Sequence, residues 1–186
     1  MAVINRKKNW LFLAEGYTGS RAYSEALLKL DGSEEVGRHH ARWPELRDAG
    51  LIFPYSLDKF SVVRHPLDII ATQCAKNDKN SVPYWLTHRF LSRQAFFMHR
   101  PDIIIRYEDT PKAEIEAVVN ETIDVEIKFK TPEKASWQFL FTKEDVKFAL
   151  ATIPELITLG YAPSSLRHQA RSYDVNPYLE KHHGCY

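Results

Sequence analysis

The chain has 186 residues, 44% of them hydrophobic and 26% charged, which suits one soluble globular domain with a substantial core and leaves little room for a second. A formal net charge of +1, with lysines and arginines dispersed rather than striped, argues against a nucleic-acid partner, and no apolar run reaches the length of a membrane span. Cys74 and Cys185 are distant and form no CxxC pair, so free thiols in a reducing, cytoplasmic setting are expected.

The opening stretch MAVINRKKNW is basic, leads into only a short apolar run and lacks a small-residue cleavage pattern, so it reads as a mature start. Trp10 to Ala14 has no helical period, which fits a strand buried on both faces. The chain then turns through Gly16 and Gly19, and Thr18 and Ser20 offer hydroxyls beside the amides of a helix start. A helix is expected over about residues 20 to 30. Strand, glycine-bearing turn and helix N-terminus make an anion site, because unpaired amides and the positive end of the helix dipole point into the turn. The spacing is neither GxxxxGK[ST] nor GxGxxG, since Arg21 follows Ser20 and no lysine lies in the turn. Taken alone, the turn fits a phosphate or sulfate cradle and a merely tight connection equally well.

A brief strand is expected near residues 35 to 38, and RWPELRDAG reads as a helical turn with Pro44 near its start and Gly50 past its end. Phe60, Val62 and Val63 form a second apolar strand that ends at Arg64, and a helix starts around Pro66. VPYWLTHRFLSRQAFFMHRP fits a long helix closed by Pro101. Ile103 to Arg106 is β-branched and strand-like, and an amphipathic helix follows Asp109-Thr110-Pro111 to about Asn120. IDVEIKFK reads as a short alternating strand or an extended connection. A capped helix starts at Thr142, breaks at Pro154 and finishes by Gly160. The remainder, residues 162 to 186, has little periodicity and reads as an irregular tail on a core of about residues 9 to 161. Strands alternating with helices predict a three-layer α/β/α protein with a mainly parallel central sheet, in which ligands sit beyond the carboxyl ends of the strands. The turn after Ala14, the Arg64 corner and the Arg106-Tyr107-Glu108-Asp109 corner all belong to that edge.

AEGYTGSRA, FSVVRHPLDIIATQ, IIIRYEDT and FTKEDVKFAL followed by LGY occur in the order found in sulfotransferases that use 3′-phosphoadenosine 5′-phosphosulfate. The chain resembles that family over roughly residues 9 to 161. The resemblance implies a P-loop NTPase-like sulfotransferase fold. In it, Gly16, Tyr17, Thr18, Gly19, Ser20 and Arg21 cradle the 5′-phosphosulfate, and Arg64 and Thr72 hold the 3′-phosphate. Arg64 can give a phosphate a bidentate charged contact, and Thr72 follows about two helical turns on. Many family members carry a lysine where this chain has Tyr17, so Arg21 is the nearest candidate for that charge. Tyr107, Glu108 and Asp109 receive no catalytic role.

Family members also set a histidine or glutamate on the acceptor side. GRHHARWPEL offers His40 first, then His39, then Glu45, as the general base. The RKGxxG loop of the cytosolic branch is missing, and Lys130, Lys134 and Trp137 occupy the comparable region. His182, His183 and Cys185 lack metal-ligand spacing, and sulfuryl transfer of this kind calls for no metal. Trp43, Tyr55, Tyr84 and Trp85 either line an acceptor site or fill the core. The expected acceptor is a small molecule, a carbohydrate or a peptide, and the expected product is adenosine 3′,5′-bisphosphate. Two alternatives stand beside this: a non-catalytic binder of the bisphosphate, suggested by Tyr17, and a small-molecule kinase, which fits the architecture but lacks the Walker lysine.

Overall fold

The computed structural model describes residues 2–38, 41–52, 56–76, 81–87, 101–126, 136–167 and 172–182. The chain divides into two compact units, Met1–Arg64 with Gln94–Lys130, and His65–Arg93 with Thr131–Tyr186. The sequence alone suggested one domain of 186 residues; each unit gathers its own core.

The first unit is an α/β structure. Its strands are β1 (Ala2–Asn5), β2 (Trp10–Leu13), β3 (Ser33–Val36), β4 (Asp58–Val63) and β5 (Ile103–Arg106), in the order β3-β1-β2-β4-β5. β2 pairs in parallel with β4, and β4 with β5. β1 is antiparallel to both β2 and β3. The sheet is therefore mixed, and the expectation of a mainly parallel sheet holds only for its β2-β4-β5 half. The physical reason lies in the connection. Four residues, Arg6 to Asn9, join β1 to β2, and a parallel crossover needs a dozen or more. Asn9 closes this hairpin at φ 62°, a left-handed conformation that asparagine tolerates. The buried Asn5 side chain fixes the turn: its Nδ2 donates to the Asp31 carbonyl at 2.9 Å and to Ser33 Oγ at 3.1 Å, and its Oδ1 accepts from the Lys8 amide at 3.0 Å.

Alternation along the strands sends side chains to two faces. Val3, Trp10, Phe12, Phe60, Val62 and Ile105 point to one, where α1 (Ser20–Leu27) and α5 (Pro111–Val119) supply Tyr23, Ala26, Leu27, Ile115 and Val119. Ala2, Ile4, Leu11, Leu13 and Val36 point to the other, covered by Leu46 of α2 (Trp43–Asp48) with Ala41, Ile52 and Leu57. Burial on both faces explains why β2 reads as a continuous apolar run.

The second unit is helical. It contains α3 (Pro66–Lys76), α4 (Val82–Thr87), α6 (Trp137–Leu140), α7 (Lys143–Thr152), α8 (Glu155–Thr158), a 3₁₀ turn at Ser164–Leu166 and α9 (Asn176–Lys181). Leu67, Ile70, Leu86, Phe148, Leu156 and Tyr178 lie in its core. α7 starts as expected: the Thr142 side chain accepts from the Asp145 amide at 3.1 Å, and the Asp145 carboxylate accepts from the Thr142 amide at 2.8 Å. The stretch read as an irregular tail contains α9, and its Tyr178 is fully buried against Phe148, with ring centroids 4.1 Å apart. The buried Tyr178 anchors this helix of six residues, and so short a helix produces no periodicity to read. Of the long helix expected over residues 82 to 100, Val82–Thr87 is observed and the rest lies outside the described residues. Residues 122–126 form no regular element, and 127–130 lie outside the described residues. Among the described residues no helix is long and apolar enough to cross a membrane.

Candidate functional site

The parallel strands β2, β4 and β5 all end on one edge of the sheet, and three chain segments leave it there: the turn 14–19, Arg64 and Tyr107. The turn is tight. Tyr17 stands at φ 65° and Gly19 at φ 73°, both in the left-handed region, where tyrosine is rarely found. Two hydroxyls hold it closed, since Thr18 Oγ1 donates to the Glu15 carbonyl at 3.1 Å and Ser20 Oγ donates to the same oxygen. Thr18 and Ser20 thus shape the turn, which is a different use of their hydroxyls from capping the helix.

Gly19 is the N-cap of α1 and supplies no side-chain cap, so the first amides of the helix have no partner from that quarter. Its missing Cβ matters twice. The φ of 73° favours glycine, and an added Cβ would stand 3.0 Å from the Tyr107 ring edge. Arg21, one residue into α1, is exposed and forms no ion pair among the described residues.

Arg64 comes to this turn from the end of β4. One of its guanidinium nitrogens lies 3.4 Å from the Tyr17 carbonyl, and its central carbon sits 5.4 Å from the centre of the Tyr107 ring. Tyr107 in turn is fixed by its backbone, for its amide donates to the Val63 carbonyl at 2.7 Å and so extends the β4–β5 ladder by one residue. Below it, the buried Tyr23 phenol is pushed up to about 12 by burial, with neighbouring Tyr107 adding to the shift. The result is a half-buried guanidinium, a glycine-capped helix start and an exposed Arg21 at one sheet edge. Such a set suits an anionic group.

Thr72 belongs to the second unit, is buried within α3, and its Oγ1 donates to the Asp68 carbonyl of its own helix at 2.8 Å. Glu45 receives the Arg38 guanidinium at 3.1, 3.2 and 3.3 Å and the Arg42 amide at 3.4 Å. Desolvation pushes the Glu45 carboxyl up, but the Arg38 hydrogen bond, the Arg42 amide and both guanidinium charges outweigh it and hold the group below its ordinary value. The Glu45 carboxylate also caps the start of α2, where it accepts from the Arg42 amide. His39 and His40 lie outside the described residues, as do Lys130, Lys134, His183, Cys185 and Tyr55.

Trp137 is in the second unit. It stacks on His65 at 5.2 Å and its amide donates to Asp68 Oδ1 at 3.3 Å. Trp43 packs under Lys59, whose Nζ is 4.8 Å from the ring centre, and against the core on the second face of the sheet. Among the described residues no three His, Cys, Asp or Glu side chains gather as metal ligands.

The sequence placed Tyr107 on this edge and gave it no catalytic role. A signal was present, since an aromatic residue directly follows the arginine that ends β5, on the edge already singled out. What the sequence lacked was the distance from that ring to Gly19 and Arg64.

No protein-family model matches the chain, and comparison with curated proteins and with solved structures returns no match.

Proposed function

We propose that the chain is a sulfotransferase that moves a sulfuryl group from 3′-phosphoadenosine 5′-phosphosulfate to a hydroxyl or amine of a small-molecule, carbohydrate or peptide acceptor. A three-layer α/β/α fold of the P-loop type is part of this reading, and the sheet with apolar cover on both faces is compatible with it. One observation carries the proposal: Arg64, from the end of β4, meets the glycine-bearing turn between β2 and α1 at the carboxyl edge of the parallel strands. The ordered motifs call for a guanidinium and an anion-accepting turn side by side.

The donor's groups fit what this edge offers. Gly16 to Arg21 would meet the phosphosulfate through main-chain amides and the Arg21 charge, and Arg64 would meet a phosphate through its guanidinium edge. The donor brings an activated sulfuryl group, and the protein's part is alignment and neutralisation of charge. With Glu45 paired to Arg38, His40 and then His39 are the stronger choices for the base that accepts the acceptor's proton.

Calorimetric titration with adenosine 3′,5′-bisphosphate, run beside ATP and 5′-AMP, tests the reading. Selective binding of the bisphosphate is expected, and Arg64→Ala should weaken it by roughly 100-fold, the scale of a lost charged hydrogen-bond pair. Equal binding of the three nucleotides, or an unchanged affinity in Arg64→Ala, would overturn it. Tyr17 supplies no cation where many such enzymes carry lysine, which favours one second reading: a protein that binds the bisphosphate without transferring sulfate. Tight binding with no turnover over a broad acceptor panel is the result that selects it.

A further inference from the structure

We propose that Tyr107 is a positioning residue that holds the Arg64 guanidinium over its ring and sets its spacing from the start of α1; the inference rests on the anion-binding reading of this edge given above. Three observations meet in one ring. Its backbone is fixed by the 2.7 Å bond from the Tyr107 amide to the Val63 carbonyl, the residue before Arg64. Its face lies under the Arg64 guanidinium carbon at 5.4 Å, inside the usual range for a cation on an aromatic ring. Its edge meets Gly19, where a methyl group would stand 3.0 Å away.

The chemistry follows from the shape of a guanidinium. Stacking engages its flat face, and hydrogen bonding uses the N–H groups around its rim. A ring under the guanidinium therefore restrains the side chain without using its N–H groups, one of which lies 3.4 Å from the Tyr17 carbonyl. An arginine on a long stem loses much rotamer freedom when it grips a ligand, and prior restraint lowers that loss. The same ring spaces Arg64 from Gly19, so the cation and the amides of α1 face an anion at a fixed separation. The phenol is not needed for either contact. Phenylalanine should serve, and an aliphatic residue should not.

The test is made on the full chain labelled with nitrogen-15, with the Arg64 Nε–H signal assigned by its loss in Arg64→Lys. In the wild-type chain, nuclear Overhauser contacts between the Arg64 side chain and the Tyr107 ring are expected, together with an upfield ring-current displacement of the Arg64 signal. Tyr107→Phe should keep both. Tyr107→Leu should return the signal to the arginine envelope and weaken adenosine 3′,5′-bisphosphate binding by about tenfold, the scale of a partly desolvated cation–ring contact. Absence of the Overhauser contacts in the wild-type chain overturns the proposal without any variant. So does an Arg64 signal that Tyr107→Leu leaves in place, or a loss in Tyr107→Leu that Tyr107→Phe fails to rescue. Failure of the wild-type chain to prefer the bisphosphate over 5′-AMP is a separate result: it removes the sulfotransferase reading, and the Arg64 signals still decide the role of Tyr107.

Discussion

In the sheet unit, order comes from backbone ladders with apolar side chains packed on both faces, and the polar side chains of interest collect where the strands stop. The helical unit puts its polar contact in the core instead: the buried Asp145 carboxylate receives the Tyr178 hydroxyl at 2.5 Å and the Thr142 amide at 2.8 Å. That single acid caps α7 and anchors α9. Polar groups at a strand edge are available to a ligand, whereas polar groups sealed between helices are committed to the fold. The contrast explains why Arg64 and the turn 14–19 form a candidate site and Asp145 does not.

The sharpest way to break the contrast is to remove a ring from the sheet core. Phe12 is fully buried and packs on Phe60 with centroids 5.2 Å apart, so Phe12→Ala should cost about 3–5 kcal/mol in denaturant titration. Faster amide exchange along β2 and β4 is the accompanying sign. Next comes Asp145→Ala. It leaves the Tyr178 hydroxyl buried without its acceptor and removes half of the Thr142 cap, an expected loss of about 2–4 kcal/mol. Adding Tyr178→Phe to that variant should recover part of the loss, because the stranded hydroxyl is then gone. An equal or greater loss in the double variant would mean that the pair is not the contact that joins α9 to α7.

The pH dependence sharpens the comparison from the sheet side. Burial, and then Tyr107, raise the Tyr23 phenol to about 12 from an ordinary 10.0. The folded chain thus holds this proton more tightly than the unfolded chain, so the contribution is complete below pH 10 and disappears as pH rises toward 12. Denaturation midpoints followed over that window should fall, and Tyr23→Phe should flatten the fall. The smallest effect is expected at Glu45. If His40 or His39 is the base, Glu45→Gln should leave any sulfuryl transfer within about twofold, against the 10²- to 10⁴-fold drop typical of losing a general base. A drop of that size would return Glu45 to the catalytic set.

Most elements were legible in the sequence because their signals are local. The apolar runs at β2, β4 and β5, Pro66 and Pro111 at helix starts, and the Thr142 cap each depend on a few neighbouring residues. The glycine-bearing turn and Arg64 were legible for the same reason. β1 was missed because four residues before a basic turn carry little pattern, and with it the antiparallel half of the sheet was missed. α9 was missed because its place depends on a partner 33 positions earlier in the chain.

The sequence by itself determined the alternation of strands and helices, the tight turn at Gly16 to Gly19 and the arginine at the end of β4, since backbone preference and hydrophobic period act over a few residues. Only the tertiary structure decided that the sheet is mixed, that Glu45 is paired with Arg38, and that Tyr107 lies between Gly19 and Arg64. Each of these depends on which strands lie side by side or which side chains finally meet, and no local propensity encodes such distances.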